Sequence, residues 1–290
     1  MKVRHALRTL HMALSTKRDE LLRILREMES VAVAFSGGVD SAVVAQAAHH
    51  ALGKNAVALT AHSPSVAMQE RLDAEKIAQQ IGIRHVVIQT NEFSNPDYLK
   101  NDGSRCYHCK TELYESILEY APQLKVKFVV SGANLDDQGD YRPGLLAAKE
   151  HDVRHPLQEA GFTKADVRAL AQEWKLPIWD KPASPCLSCR LVPGLAVTPE
   201  RTARIEGAEA YLRTLGLREF RVRLHEGELA RLEVPLEALP LLCEPVQREN
   251  LTNKFLELGF RFVTLDLLGF RTGSMNELIP LETKRRFQPS

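Results

Sequence analysis

Six consecutive residues, Ser36-Gly37-Gly38-Val39-Asp40-Ser41, have the types and the spacing of an anion-binding turn. They follow an apolar run of strand length, residues 31–35, and precede a second apolar run that is typical of a buried helix. A turn from a strand into a helix directs backbone N–H groups and the positive end of the helix dipole to one point, where a phosphate can bind. The glycines let the backbone approach the anion, and both serines can donate hydrogen bonds to it. We therefore predict a phosphate site here rather than a glycine-rich turn without a ligand.

Acidic residues near this turn predict a metal site. Asp40 would repel a bare phosphate, so we expect it to hold Mg²⁺ or a turn amide. Residues 132–137, Gly-Ala-Asn-Leu-Asp-Asp, follow another predicted strand, and their adjacent acids fit Mg²⁺ coordination or ribose binding. A polar turn is the alternative for these acids. Arg142, in the next loop together with Asp140, could clamp a carboxylate or a phosphate, although a single loop arginine is often solvated.

Four of the cysteines form two Cys-x-x-Cys pairs, Cys106/Cys109 and Cys186/Cys189. One such pair is compatible with zinc, redox chemistry or an iron–sulfur cluster, and two pairs with a four-cysteine zinc site or a cluster. The pairs are about 80 residues apart, against roughly 15–20 in a zinc ribbon, so structural zinc is not favoured. Basic neighbours lower the pKa of a thiol and favour the thiolate, and the pairs are flanked by Arg105, Lys110 and Arg190.

Strands and helices alternate through the first part of the chain. Strands are predicted at residues 31–35, 56–60, 85–89 and 127–131, and helices at residues 41–52, 67–81, 110–120 and 164–174. This alternation predicts an α/β fold with a parallel sheet, helices on both faces and ligands at the carboxyl ends of the strands. Residues 91–105 are polar, and we expect them to form an irregular surface loop.

The composition changes at residues 180–197, and an α-β-β-α-β order follows. We therefore predict two domains: residues 12–190, with the phosphate loop, and a smaller α+β domain at residues 191–290. In the second domain, Arg221, Arg223 and His225 fall on one strand face. Such a face is either solvated or binds a substrate with several carboxylates or a phosphate. We assign no function to residues 1–11.

The composition is that of a globular protein without a nucleic-acid surface or a membrane span. The chain has 290 residues and a formal net charge of +1, whereas a large nucleic-acid surface usually brings a basic excess. No apolar run approaches the roughly 18 residues of a membrane span, and the N-terminus lacks the apolar region of a secretory signal. An odd number of cysteines, five, indicates a reducing cytoplasm, and the fifth, Cys243, is expected in a core.

Several segments are informative as a set. In the first part they are residues 36–41, Arg105-Cys-Tyr-His-Cys-Lys110, residues 132–137 with 140–144, and residues 179–190. In the second part they are residues 221–223, 230–233 and 269–274. Together they resemble the LarE family within the PP-loop ATP pyrophosphatases, and the resemblance covers nearly the whole chain.

The resemblance implies an ATP-dependent sulfurtransferase whose parallel-sheet PP-loop domain is similar to the adenine nucleotide alpha hydrolases. ATP would adenylate a carboxylate of pyridinium-3,5-biscarboxylic acid mononucleotide, releasing pyrophosphate, and sulfur would then give the thiocarboxylate used in nickel-pincer nucleotide cofactor synthesis. The implied catalytic residues are Cys186, Cys189, Asp136 and Arg221. Nucleotide or substrate would be bound by Ser36, Gly37, Gly38, Asp40, Ser41, Gly132, Arg142, Arg190 and Arg223, and Mg²⁺ by Asp40 and Asp136.

The family is known for two sources of sulfur. In the sacrificial type, a cysteine at the position of Cys186 attacks the acyl-adenylate, loses its sulfur and becomes dehydroalanine. In the cluster type, cysteines hold a 4Fe–4S cluster that carries an extra sulfide, and the candidate ligands here are Cys106, Cys109, Cys186 and Cys189. Many sacrificial relatives have serine where this chain has Cys189, which bears on the choice. We favour the sacrificial type.

Two other functions stay open. A tRNA thiolase also combines a PP-loop with paired cysteines and an iron–sulfur cluster, but it needs a basic RNA-binding face. A zinc-stabilised nucleotide-binding module without catalysis is the second alternative. For the favoured function we expect a small-molecule substrate, neither a nucleic acid nor a membrane as partner, and a homo-oligomer in which the smaller domain serves substrate binding and assembly.

Overall fold

The first part of the chain forms a four-stranded parallel sheet. The structure is a computed structural model that describes residues 2–138, 142–271 and 273–287, without the side chains of residues 2–12 and 276. The strands are β1 (Val31–Ala34), β2 (Ala56–His62), β3 (Arg84–Gln89) and β4 (Phe128–Val130), in the spatial order β3-β2-β1-β4. The pairings between them are parallel, which confirms the predicted α/β class.

Helices precede, connect and follow these strands. They are α1 (Lys2–Glu27), α2 (Val39–Leu52), α3 (Met68–Ile81), α4 (Pro96–Lys100), α5 (Arg105–Leu124), α6 (Pro143–Glu150), α7 (Pro156–Glu159) and α8 (Lys164–Glu173). Across the described ranges, no helix is both long enough and apolar enough to span a membrane.

Both faces of the sheet are covered, because its strands are apolar on both sides. Along β1, Val31 and Val33 belong to one cluster of buried residues and Ala32 to another. The first cluster includes Leu25 of α1 and Leu170 of α8. The second includes residues of α5 and α6. Burial on both faces is typical of a parallel sheet, and it leaves the carboxyl edge as the place for a binding site.

The second part of the chain forms a smaller sheet with its own core. After α9 (Pro199–Thr214) come β5 (Arg221–His225), β6 (Leu229–Glu233), α10 (Leu239–Cys243), α11 (Pro245–Glu257), β7 (Phe262–Leu265) and α12 (Leu281–Arg286). Strand β6 lies between β5, which is antiparallel to it, and β7, which is parallel. This order matches the predicted α-β-β-α-β run. The domain boundary at residues 190/191 stays a prediction, and Leu187 already packs in the core of the second unit.

Three local predictions are wrong. Residues 91–105 are not an irregular surface loop, since they contain α4 with Tyr98 fully buried; the hydroxyl of Tyr98 hydrogen-bonds Ser188, far away in sequence, at 2.7 Å. Helix α5 begins at Arg105 rather than near residue 110, so the first cysteine pair lies within the first five residues of this helix. Cys243 is exposed, because α10 buries the neighbouring Leu242 instead.

Candidate functional site

The phosphate loop is held in shape by its own residues. The hydroxyl of Ser41 accepts a hydrogen bond from the backbone of Ser36 at 3.3 Å and donates to the carbonyl of Gly38 at 3.0 Å. Gly37 has a φ of +72°, and a Cβ there would lie 2.8 Å from the Cα of Ala74. Only glycine meets both requirements. The loop is therefore organised before any anion arrives.

The end of β4 lies directly against this loop. A Cβ on Gly132 would be 2.7 Å from the backbone nitrogen of Ser41 and 2.9 Å from the carbonyl carbon of Asp40. The lack of a side chain at Gly132 is what allows the segment after β4 to contact the start of α2. The structure thus brings together two segments that the sequence places about 90 residues apart.

The predicted metal-binding acids are both bound to Lys164, which sequence reasoning missed. Asp40 forms an ion pair with the ammonium of Lys164, and Asp136 accepts a hydrogen bond from its backbone N–H at 2.7 Å. Asn134 donates to the other oxygen of Asp40 at 3.1 Å. The only sequence signal was the place of Lys164, the first residue of a helix after a Thr163 N-cap.

A magnesium site at these acids stays a prediction. Their oxygens are the donor type that Mg²⁺ prefers. Yet within the described part of the chain, no group of three or more His, Cys, Asp or Glu side chains is arranged to hold a metal ion. Arg142 pairs with Asp137 at 2.8 Å, and Asp140 lies outside the described residues.

The two cysteine pairs come together, although they are far apart in sequence. Cys106 and Cys109 lie within the first five residues of α5, and Cys186 caps a short 3₁₀ turn, Leu187–Arg190, that contains Cys189. The sulfurs of Cys186 and Cys189 are 3.3 Å apart, and Cys106 and Cys189 are close enough to shift each other's pKa. The guanidinium of Arg105 lies 3.1 Å from the sulfur of Cys189 and 3.6 Å from that of Cys106.

Among these thiols, the hydrogen bonds favour a thiolate at Cys186. The hydrogen bond with Cys189 lowers the pKa of Cys186, and the charge of Arg105 lowers it further. The interaction with Cys189, together with burial, raises the pKa of Cys106. The interaction with Cys106 lowers the pKa of Cys189, but the interaction with Cys186 and burial outweigh this, so the pKa of Cys189 is raised. Burial also raises the pKa of Cys109 to about 12.

The thiols match an iron–sulfur cluster in kind but not in arrangement. Cysteine thiolates are the ligands of such clusters, and a nearby cation favours the thiolate form. Cys186 and Cys189 are instead in direct sulfur–sulfur contact, and Arg105 lies against Cys189 and Cys106. A cluster therefore stays a prediction, and we derive no step through it.

Residues 183–190, which we call the sulfur segment, are held by buried arginines, among them Arg105, which donates to the carbonyl of Ser188. Arg190 forms two hydrogen bonds with Glu209, at 3.0 and 3.2 Å, and donates to the carbonyls of residues 185 and 186. Arg223 pairs with Glu233 at 2.8 Å and donates to the carbonyl of Cys189 at 3.1 Å. The predicted arginine face of β5 is thus buried rather than solvated.

Arg221 differs from Arg190 and Arg223. It donates to the carbonyl of Ala183 and stacks on the ring of Phe270 at 5.0 Å, but none of the described ion pairs involves it. Burial and the charge of Arg190 lower its pKa to about 10. It lines a cavity of about 400 Å³ whose other basic residues are Lys181, Arg190, Arg213 and Arg218. The same cavity is lined by four acids, Glu70, Asp73, Asp180 and Glu209, so Arg221 stands out only because it forms none of the described ion pairs.

The sulfur segment contacts the same edge of the sheet as the phosphate loop. The backbone of Leu187 donates to the carbonyl of Ser65 at 2.8 Å, just beyond the end of β2. Ser65 is fixed by Glu92, a buried carboxylate that accepts its hydroxyl hydrogen bond at 2.9 Å. Strand β2 is the direct neighbour of β1, which leads into the phosphate loop. Glu92 gave no signal in the sequence, because its partners come from another strand end.

Comparisons with known proteins show which family the sequence resembles. A parallel sheet with a glycine-rich phosphate loop after its first strand defines the PP-loop class of ATP-using enzymes. A family model described as NAD synthase matches residues 19–100, which contain the loop. The tRNA-specific 2-thiouridylase MnmA of Xanthobacter autotrophicus is 30% identical, over 53% of this chain and 49% of its own length.

Two relatives match almost the whole chain. An uncharacterized protein of Synechocystis is 45% identical, over 92% of this chain and 99% of its own length. The pyridinium-3,5-bisthiocarboxylic acid mononucleotide synthase of Lactiplantibacillus plantarum is 38% identical, over 92% of this chain and 96% of its own. The chain therefore belongs to the LarE family, and it is an ATP-dependent sulfurtransferase.

Proposed function

We propose that this enzyme adenylates a carboxylate of pyridinium-3,5-biscarboxylic acid mononucleotide and converts it to a thiocarboxylate, in the synthesis of the nickel-pincer nucleotide cofactor. The observation that carries the proposal is the shared sheet edge. The phosphate loop follows β1, and the sulfur segment docks on Ser65 at the end of the adjacent β2. The activating site and the thiol must be close together, because the acyl group that is adenylated at one must then react with the other.

In the activation step, a substrate carboxylate oxygen attacks the α-phosphorus of ATP and pyrophosphate leaves. Ser36, Gly37, Gly38 and Ser41 would hold the phosphates, since the loop presents backbone donors at the N-terminus of α2. Donors placed before the reaction stabilise developing charge without having to reorganise. The product of this step is the acyl-adenylate.

In the transfer step, the Cys186 thiolate attacks the acyl carbon and AMP leaves, which forms a thioester. Loss of the Cα proton of Cys186 to a base and cleavage of its Cβ–S bond then release the thiocarboxylate and leave dehydroalanine. The lowered pKa of Cys186 supports its choice as the nucleophile, because the thiolate is the reactive form. Cys189 would assist through its hydrogen bond to Cys186.

The substrate is an anion, and the cavity beside the sulfur segment is lined by Arg221. Arg221 is our candidate for the substrate, because the described ion pairs leave it without a carboxylate. A guanidinium binds carboxylate or phosphate in a two-pronged fashion. Arg190 and Arg223 are already neutralised by Glu209 and Glu233, so they are weaker candidates for direct substrate contact.

Intact-mass measurement after turnover tests the proposal. Protein purified without oxygen is incubated with ATP, Mg²⁺ and the mononucleotide, and iron and sulfide are measured beforehand. A loss of about 34 Da at Cys186, one H₂S, with thiocarboxylate formed and no iron present is the expected result. Bound iron with repeated turnover and an unchanged mass would replace the sacrificial step by the cluster type. Tightly held zinc, with no pyrophosphate released, would favour a non-catalytic module.

The MnmA match makes tRNA thiolation the second candidate. That match covers about half of each chain, whereas the mononucleotide synthase matches nearly the whole of both. Co-purifying tRNA whose binding falls steeply with salt would favour thiolation. We expect no such tRNA binding, because a net charge of +1 provides little excess of basic residues to bind a phosphate backbone.

The proposal also includes a cytoplasmic homo-oligomer. Free thiols in the catalytic site need a reducing compartment. Leu267 and Leu268 in the second unit are 80% and 66% exposed, which supports contact with another copy. Light scattering coupled to gel filtration would measure the assembly, and a monomer at working concentration would contradict this part of the proposal.

A further inference from the structure

Lys164 lies where the two predicted metal-binding acids meet the phosphate loop. It is the first residue of α8, its ammonium pairs with Asp40, and its backbone N–H donates to Asp136. One residue therefore connects three segments: the start of α8, the phosphate loop and the turn after β4. In the steps proposed above, Lys164 has no role.

The charge of Lys164 offsets an electrostatic difficulty in the loop. Asp40 lies in the first turn of α2, beside the place where phosphates are expected, and Asp136 lies close by. Two carboxylates next to a polyphosphate oppose its binding at short range. An ammonium in contact with Asp40 reduces that repulsion.

The contact between Lys164 and Asp40 can be exchanged for another. The side chain of Lys164 is 36% exposed, and an ion pair with that much solvent contributes at most about 1 kcal/mol. The ammonium has three donors on a flexible stem, so it can follow an oxygen that enters the loop. Asn134 still holds the other oxygen of Asp40. The acid therefore keeps a partner when the lysine leaves.

We propose that Lys164 is a phosphate-binding residue of the ATP site, whose ammonium leaves Asp40 for an oxygen of the departing pyrophosphate. The inference rests on the proposed function, because it assigns Lys164 to the leaving group of the adenylation step. Negative charge grows on that leaving group as its bond to the α-phosphorus breaks. A cation held there stabilises the transition state more than the ground state.

Calorimetric titration of the whole protein with pyrophosphate, with Mg²⁺ and separately with chelator, tests this role. Lys164→Met is expected to weaken binding at least about tenfold, and Lys164→Arg to stay within about threefold of wild type because it keeps the charge. Lys17→Met is the matched control. It removes the ion pair of Lys17 with Asp166, which lies on α8 as Lys164 does, and it should leave pyrophosphate binding unchanged. Equal pyrophosphate binding by wild type and a folded Lys164→Met overturns the inference.

A double-mutant cycle separates a ligand contact from a structural one. Asp40→Asn frees Lys164 and removes a negative charge, so it should tighten pyrophosphate binding in chelator. Asp40→Asn should tighten binding less when it is introduced into Lys164→Met than when it is introduced into wild type. A gain that persists in full would come from Asp40 alone and would contradict the role of Lys164. Where Lys164→Met does not fold, the same cycle with Lys164→Gln decides, with thermal unfolding as the check.

The outcomes also distinguish this inference from the proposed function. Wild type that binds pyrophosphate through Lys164 but releases none from ATP and the mononucleotide would refute the function and leave the residue's role intact. Normal release and unchanged binding in Lys164→Met would refute only the residue's role. Wild type that does not bind pyrophosphate at all would refute both.

Discussion

The phosphate loop and the sulfur segment lie at one edge of the sheet, but they are built in opposite ways. The loop is organised by hydrogen bonds among Ser36, Gly38 and Ser41, which are neighbours in sequence. The sulfur segment is held by Arg105 and Arg223, which come from helix α5 and strand β5 and donate to its carbonyls. The hydrogen bonds that shape the loop are therefore local in sequence, whereas those that hold the segment come from distant elements.

The largest expected effect separates the two regions by chemistry. Cys186→Ala should abolish thiocarboxylate formation, while pyrophosphate release stays within about threefold of wild type because the loop does not use the thiol. Product mass spectrometry and a pyrophosphate assay measure the two activities. Cys243→Ala is the control, since that thiol is exposed in the second unit, and it should change neither. Thiocarboxylate from Cys186→Ala would mean that another atom supplies the sulfur.

The next effect tests how strongly the sulfur segment depends on distant partners. Arg190→Met leaves the buried carboxylate of Glu209 without its guanidinium, and it should lower the free energy of unfolding by about 3–5 kcal/mol. Urea unfolding measures this. Arg18→Met is the matched control, because its pair with Glu173 is partly exposed and its loss should cost no more than about 1 kcal/mol. Equal losses would contradict the anchoring described here.

A pair of glycines tests the local construction of the phosphate loop. Gly37 and Gly161 both have a φ of +72°, but a Cβ meets Ala74 at 2.8 Å only in the loop, and nothing lies within 4 Å of one on Gly161. Gly161→Ala should cost about 1–2 kcal/mol from left-handed backbone strain. Gly37→Ala should cost about 1–3 kcal/mol more, from the clash, and should reduce pyrophosphate release. Chemical unfolding compares the two, and equal costs would show that the loop moves away from Ala74.

The smallest expected effect is a pH dependence near the loop. Burial lowers the pKa of His85, although Glu75 partly offsets this; His85 hydrogen-bonds Thr60, which also donates to the carbonyl of Phe35 just before the loop. An unfolded histidine has a pKa of about 6.5, so below that pH the unfolded chain binds more protons than the native one. The free energy of unfolding should therefore fall as the pH drops below about 6.5.

His85→Gln should make this decline shallower, as measured by urea unfolding on either side of about pH 6.5. His108→Gln is the control, since His108 lies on α5, away from Thr60. An unchanged decline in His85→Gln would assign it to other groups.

The sequence predicts the features that depend on neighbouring residues better than those that depend on packing between distant elements. The phosphate loop, the parallel sheet and the order of elements in the second unit depend on local patterns of apolar residues and glycines, which the sequence contains in full. The meeting of Cys106 with Cys189, the burial of Arg223 and the contacts of Lys164 depend on packing between distant elements. No spacing along the chain encodes these contacts. Tyr98 illustrates the limit, since its polar surroundings in sequence hide a fully buried ring.

The ion pair of Arg190 with Glu209 also bears on modularity. It crosses the predicted domain boundary at residues 190/191, as does the packing of Leu187 in the second core. A recombinant fragment that starts at residue 191 would carry a buried carboxylate without its counter-ion and a gap in its core. The C-terminal unit is therefore transferable to another protein only together with the sulfur segment, so gene fusions and rearrangements that remain functional should move the two as one piece.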